Sequence, residues 1–262
     1  MPLLAATSAL GTRVELAIDA LESPALRAIA DAAIDEIHIW HDRLSARLPH
    51  SFLSHINRAA FEKPVALDDD LWSLFTLAGE VCRDSRGGFD PTLIGAWRDA
   101  VLLDASSRTI RFTRPDLALD LGGIAKGFAL DRAAEVLREH GVESALLHAG
   151  TSGIIAIGDT PRRVGVRTSS GIDVVEITDE SLCVSAQRGR AHIVADDPEA
   201  TALRTSLVIG ASCAECDAWA TALIVRAEAR LQSPHHIRAA LHDGRAWETH
   251  NNPPFVHPSE AA

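Results

Sequence analysis

Lysine is almost missing from this 262-residue chain: among its 25 Lys and Arg residues only Lys63 and Lys126 are lysines. A lysine kept among so many arginines marks a place where a compact ammonium serves better than a planar guanidinium. Lys63 lies in a polar Glu-Lys-Pro loop, whereas Lys126 follows two glycines and carries the stronger expectation. Positive charge is scarce overall. The formal net charge is -11, which argues against the basic face of a nucleic-acid binder. It leaves room for a phosphate ligand, because a local pocket can be positive on an acidic protein. No apolar run reaches the roughly 18 residues of a membrane-crossing helix. The opening segment from Met1 to Leu10 has no basic stretch and no Cys to carry a lipid, so a cytoplasmic chain is expected. Cysteine is also sparse. Cys213 and Cys216 form a lone CxxC without the second pair that a structural zinc site needs, and both read as small core or helix-start residues. Repeats, linkers and low-complexity stretches are absent.

What is present suits an ordinary globule. Apolar residues at 47% and charged residues at 23% supply a core for one large domain, or two intimately packed lobes, over residues 1–250. The Pro- and Asn-rich remainder, 251–262, reads as a loose tail. Alternation over Thr12–Ile18 predicts a strand. Ser23-Pro24 opens a helix with Leu26, Ile29, Ala33, Ile37 and Trp40 at helical spacing. Residues 44–60 read as a polar loop, and Asp68–Arg83 as a second helix stopped by Gly87-Gly88. A hairpin is expected over 101–113, a brief strand over Leu117–Leu121, and a strongly periodic helix over Ile124–His140 closed by Gly141. Strands dominate from 144 to 209, followed by a helix over Cys216–Arg226 and final strands near 237–241 and 246–249. Helices scattered among antiparallel-looking strands predict an α+β fold.

Three segments carry chemistry. In Leu119-Asp120-Leu121-Gly122-Gly123-Ile124-Ala125-Lys126 an apolar run enters two glycines and a helix starts at once. Free N–H groups, the positive end of the helix dipole and the Lys126 ammonium would together seat a phosphate or pyrophosphate. The spacing matches neither a P-loop nor a dinucleotide fingerprint, and a plain tight turn with a surface lysine is the competing reading. Asp217 and Thr221 stand at i and i+4 on one helix face, where two hard oxygens can hold Mg²⁺; alternatively, Asp217 answers the helix dipole and Thr221 merely packs. Gly87-Gly88-Phe89-Asp90-Pro91-Thr92 makes a turn able to present Asp90 and Thr92.

Taken together, these segments resemble the ApbE-like FAD:protein FMN transferases. Gly87-Gly88-Phe89-Asp90-Pro91-Thr92 resembles the family's G-x-FDPT element. Residues 120–131 resemble its DLGGIAKGxAxD core nearly letter for letter, and residues 214–222 its A-x-x-ADALATA helix. Ala9–Thr12 is similar to the opening AMGT, and Ser51–Asn57 to S-E-I-S-x-L-N. The resemblance implies an ApbE-like single domain of mixed, mainly antiparallel sheets with packed helices. It implies Mg²⁺-dependent transfer of FMN from FAD to a Thr or Ser hydroxyl of an acceptor flavoprotein, with AMP released. The alternatives are hydrolysis of FAD to FMN and AMP, or flavin binding without turnover. By the same resemblance Asp217, Thr221 and the Ala125 carbonyl would hold Mg²⁺. Lys126 and Asp120 would act at the Gly122–Gly123 corner, and His192 would be the base. Leu10, Ser54, Asn57, Asp90 and Thr92 would line the flavin or adenine pocket. The chain departs from the family pattern at Phe52, at Gly150-Thr151, at Ser185-Ala186-Gln187 and after His192. These departures fall mainly on the side expected to face the acceptor.

Overall fold

The structure is a computed structural model that describes residues 2–186 and 204–256. In chain order it begins with β1 (Pro2–Ala9), β2 (Thr12–Leu21), α1 (Pro24–Leu44), α2 (Phe52–Ala59), β3 (Val65–Ala66) and α3 (Asp69–Asp84). It continues with α4 (Trp97–Ala100), β4 (Val101–Asp104), β5 (Thr109–Phe112), α5 (Ala125–Glu139), β6 (Ala145–Ala149) and β7 (Gly153–Ile157). The remainder is β8 (Arg162–Arg167), β9 (Ile172–Ile177), β10 (Ser181–Ala186), β11 (Thr205–Gly210), α6 (Cys213–Val225), β12 (Arg238–His242), β13 (Trp247–His250) and β14 (Phe255–Val256). The expected α+β class is borne out.

Local chemistry accounts for most of these boundaries. The Ser23 hydroxyl accepts from Leu26 N at 3.1 Å and Pro24 sits at the first helical position, so α1 starts there. Asp68 and Ser212 cap α3 and α6 in the same way. The cap on Ser212 starts α6 at Cys213, one turn earlier than expected. Ser51 likewise caps α2 through Ser54 N at 2.9 Å. The stretch expected to be loop therefore holds a helix; its two buried apolar residues, Leu53 and Ile56, are too few to show a period.

Among the described residues, eight strands form one antiparallel sheet in the order β1-β2-β6-β7-β10-β11-β12-β13. Alternation along β10 and β11 shows how it is covered. Cys183 and Val208 join the large cluster beneath the helices, whereas Leu182, Leu207 and Ile209 join a second cluster with Val166, Val175 and Ile177. The central strands are thus buried on both faces: helices lie on one, and the small sheet β14-β9-β8 on the other. Helix α6 sits deepest. Ten of its thirteen residues are buried, as expected for a helix apolar nearly all round.

Two further expectations are corrected. Leu117–Leu121 forms no strand, although Leu117, Leu119 and Leu121 are buried. A side chain, not a neighbouring strand, satisfies its centre: Asn57 donates to Leu119 O and accepts from Leu119 N, both at 2.9 Å. Part of the expected loose tail is ordered, because Phe255–Val256 pairs with β9 and Phe255 packs on Trp247 at 5.1 Å between ring centroids. Among the described residues no helix is long and apolar enough to cross a membrane.

Candidate active site

A cleft of about 1900 Å³ opens where the helical layer meets the ends of the large sheet. The glycine corner and helix α6 meet in its wall. The Lys126 ammonium lies 3.4 Å from Asp217 Oδ2 and donates to the Gly122 carbonyl at 2.9 Å. Gly127 N donates to the same Asp217 oxygen at 3.2 Å. Thr221 reaches the corner from one turn further along. A Cβ on Gly123 would stand 2.9 Å from Thr221 Oγ1, so glycine at 123 makes room for this hydroxyl. Neither Gly122 nor Gly123 holds a positive φ; close approach, not turn geometry, is what requires glycine at 123.

The electrostatics are those of a paired but cleft-facing charge. Asp217 is 2% exposed. Burial pushes the Lys126 ammonium towards neutrality, but the Asp217 carboxylate outweighs it and the lysine pKa is raised. Lys126 thus keeps its charge and answers that of Asp217. Thr221 donates its proton back to the Asp217 carbonyl at 3.1 Å, which leaves the oxygen's lone pairs free. One carboxylate and one hydroxyl with free lone pairs fit a hard cation that draws its other ligands from water and phosphate. Among the described residues no cluster of three or more His, Cys, Asp or Glu side chains forms a metal cage.

Asp120 opens the corner and orders it. Its carboxylate accepts from Gly122 N at 2.7 Å, and its own N–H donates to the Pro91 carbonyl at 2.8 Å. Asp90 holds the adjoining loop by accepting from Thr92 N (2.8 Å), the Thr92 hydroxyl (2.6 Å) and Trp97 N (3.3 Å). Leu10, at the tip of the β1–β2 hairpin with φ 54°, donates its N–H to His41 Nδ1 at 3.2 Å. Leu10, Asp90, Asp120, Gly122, Gly123, Ala125, Lys126, Asp217 and Thr221 all line the cleft. Ser54, Asn57 and Thr92, expected as lining residues, do not. Ser54 is buried in α2, Asn57 clamps Leu119 behind the corner, and Thr92 braces Asp90. His192 lies outside the described residues.

Two contributors escaped the sequence reading. His41 supports Leu10 across 31 residues of separation, and nothing local announces it. Asp131 accepts from the Ser212 hydroxyl (3.0 Å), Cys213 N (2.8 Å) and Ala214 N (2.9 Å), fastening α5 to the start of α6. It is the closing Asp of the 120–131 motif, which was the available signal. The four cysteines are free and buried. Cys183 Sγ and Cys213 Sγ stand 3.5 Å apart, and burial pushes the Cys183 thiol up to about 12. The departures Gly150, Thr151, Ser185 and Ala186 share one stretch of cleft wall, joined by Val184 N donating to Ser152 O at 2.8 Å.

The fold is α+β, and across one cleft wall a glycine–lysine corner faces a helix that carries a carboxylate and a hydroxyl one turn apart. The profile of the ApbE family matches residues 10–98 and 95–240, and the chain belongs to that family. It is 27% identical over 236 residues to the FAD:protein FMN transferase of Klebsiella pneumoniae (strain 342), covering 75% of each chain. It is 32% identical over 146 residues to the FAD:protein FMN transferase of Treponema pallidum (strain Nichols), covering 44% of this chain and 40% of the relative. The crystal structure of the ApbE protein of Thermotoga maritima superposes with a TM-score of 0.81 at 22% identity, over 95% of this chain and 97% of that one. The flavin transferase ApbE of Vibrio cholerae gives 0.77 at 19% identity, over 95% and 97%. These two likenesses establish the shared fold.

Proposed function

We propose that this chain transfers FMN from FAD to a Thr or Ser hydroxyl of an acceptor flavoprotein and releases AMP. One observation supports the reading above the others: the Lys126 ammonium, the Gly127 N–H and the Asp217 carboxylate converge within 3.4 Å at the cleft wall. Both named relatives carry the same activity in their names.

The roles follow from the chemistry of each group. Lys126 would exchange its partnership with Asp217 for the FAD diphosphate, holding it over the Gly122–Gly123 corner. Asp217, Thr221 and the Ala125 carbonyl would hold Mg²⁺, which when bound would supply positive charge against the departing phosphate. Asp120 would keep the corner in shape through Gly122 N. The acceptor oxygen would form a bond to the FMN phosphorus as the P–O–P bridge to AMP breaks. The hydroxyl proton would pass to a base, and the imidazole of His192 is the candidate for that role. Leu10 and Asp90 would border the flavin or adenine moiety, with Ser54, Asn57 and Thr92 supporting the walls from behind.

Incubation with FAD, Mg²⁺ and a candidate acceptor protein tests this. Covalent yellow fluorescence on the denatured acceptor, with AMP released in equal amount, is the expected result. AMP release that proceeds equally without acceptor would replace transfer by hydrolysis, and FAD binding without AMP would remove the activity.

A further inference from the structure

The loop from Pro91 to Trp97 carries features that the diphosphate site does not use. Leu93 and Ile94 lie on the lip of the cleft and are 51% and 58% exposed. Leu93 holds φ 60°, a left-handed conformation that penalises any residue with a Cβ. It is kept there by tethers at both ends. Asp90 takes the Thr92 and Trp97 N–H groups, and the Thr92 hydroxyl accepts from Ala96 N at 2.9 Å. A strained, firmly tied loop therefore presents two large apolar side chains to solvent. Arg98 follows directly, and Arg86, itself at φ 54°, lines the same cleft. Neither guanidinium has an ion-pair partner among the described residues; of the acids lining the same cleft, Asp90 is taken up by the loop's own N–H and hydroxyl groups, Asp120 by Gly122 N and Asp217 by Lys126 and Gly127 N, and Asp99 lies beside Arg98.

We propose that this loop is the docking lip for the acceptor protein, and that it takes a segment whose apolar side chains are flanked by acidic ones. The proposal rests on the transferase reading above. A chain with net charge -11 repels an acidic partner in general, so unpaired arginines beside the cleft would both attract and orient one. Leu93 and Ile94 supply the apolar contact that a protein partner can cover.

Three synthetic peptides test this on the full chain with FAD and Mg²⁺ present. Each holds one Thr among Leu residues, flanked by Asp, Ser or Lys. Binding is read by fluorescence anisotropy and FAD affinity by flavin fluorescence. The Asp peptide is expected to bind about tenfold or more tightly than the Lys peptide and to weaken with salt. Leu93→Ser with Ile94→Ser should weaken binding of all three peptides while FAD affinity is unchanged. Arg86→Glu with Arg98→Glu should reverse the order of the Asp and Lys peptides. Absent or equal peptide binding overturns the proposal. So does a loss of FAD affinity in the Leu93/Ile94 variant, which would make the lip part of the nucleotide site. A chain that prefers the Asp peptide yet transfers no FMN to acceptor proteins would keep the lip and remove the transferase reading.

Discussion

A Cβ placed on Gly127 would stand 2.2 Å from the Cys213 carbonyl oxygen, so α5 and α6 cross with their backbones in contact. Asp217 lies one turn beyond Cys213 and reaches Gly127 N only because nothing separates the two helices. Gly127→Ala should therefore force them apart. Overpacking of this kind costs about 1–3 kcal/mol. Denaturant unfolding should show that loss, accompanied by a fall in FAD turnover. An unchanged unfolding midpoint would refute the contact.

Asp217→Asn preserves shape and removes the charge that a cation needs. FAD turnover should fall by about 100-fold or more, the scale of losing several kcal/mol of charge stabilisation. A thermal measurement isolates the metal: added Mg²⁺ should raise the Tm of the wild-type chain and leave that of the variant unmoved. Equal Mg²⁺ stabilisation of both would place the cation elsewhere.

Asn57→Ala removes both hydrogen bonds to Leu119 and leaves a backbone N–H and C=O without them. Each such group costs about 1–3 kcal/mol when buried without a partner. Stability should drop accordingly, and the KM for FAD should rise as the corner loosens. A variant with wild-type stability would show that water replaces the amide.

Asp131 gives a pH signature. Burial raises its carboxyl from 3.8 to about 6, against the opposing pull of the Ala214 and Cys213 N–H groups and the Ser212 hydroxyl. Between these values the folded chain binds more protons at this site than the unfolded chain. Its contribution to stability is therefore complete below 3.8 and is lost as pH rises through about 6. Relative to Asp131→Asn, the wild type should lose stability across that window in urea titrations at stepped pH. The opposite slope would mean that the carboxyl is held below its ordinary value.

The thiols should be inert in the native state. Cys82 and Cys183 are each pushed up to about 12, chiefly by burial, and all four thiols are buried. A disulfide reagent at mild alkaline pH should label none of them until denaturant is added. Rapid labelling of native protein would refute this, and labelling at Cys213 or Cys216 would show that α6 opens at its start.

Legibility followed the range of the physics. Helix α5 was readable because Gly122, Gly123 and the periodic run after them are contiguous, and the motif 120–131 contains both the corner and its closing Asp131. Helix α2 was not, since an eight-residue helix whose cap is Ser51 and whose buried face includes only two large apolar residues shows too little period. The stretch 117–121 has the alternating apolar residues of a strand, yet its centre is satisfied by Asn57 from 62 residues away. The candidate residues divided in the same manner. Asp217 and Thr221 were placed on one face by helix geometry alone, whereas Ser54, Asn57 and Thr92 could be assigned to the cleft or behind it only once the walls were in place.

The α+β class, the starts of α1, α3 and α5, the retained lysine and the acid–hydroxyl pair one turn apart are legible in the chain alone, because capping and periodicity act between near neighbours. Only in the assembled fold do Lys126 and Asp217 meet, is Asp217 buried, and are Leu93 and Ile94 turned outward. Those outcomes depend on backbone contacts such as Gly127 against Cys213, between segments far apart in the chain, which no local pattern encodes.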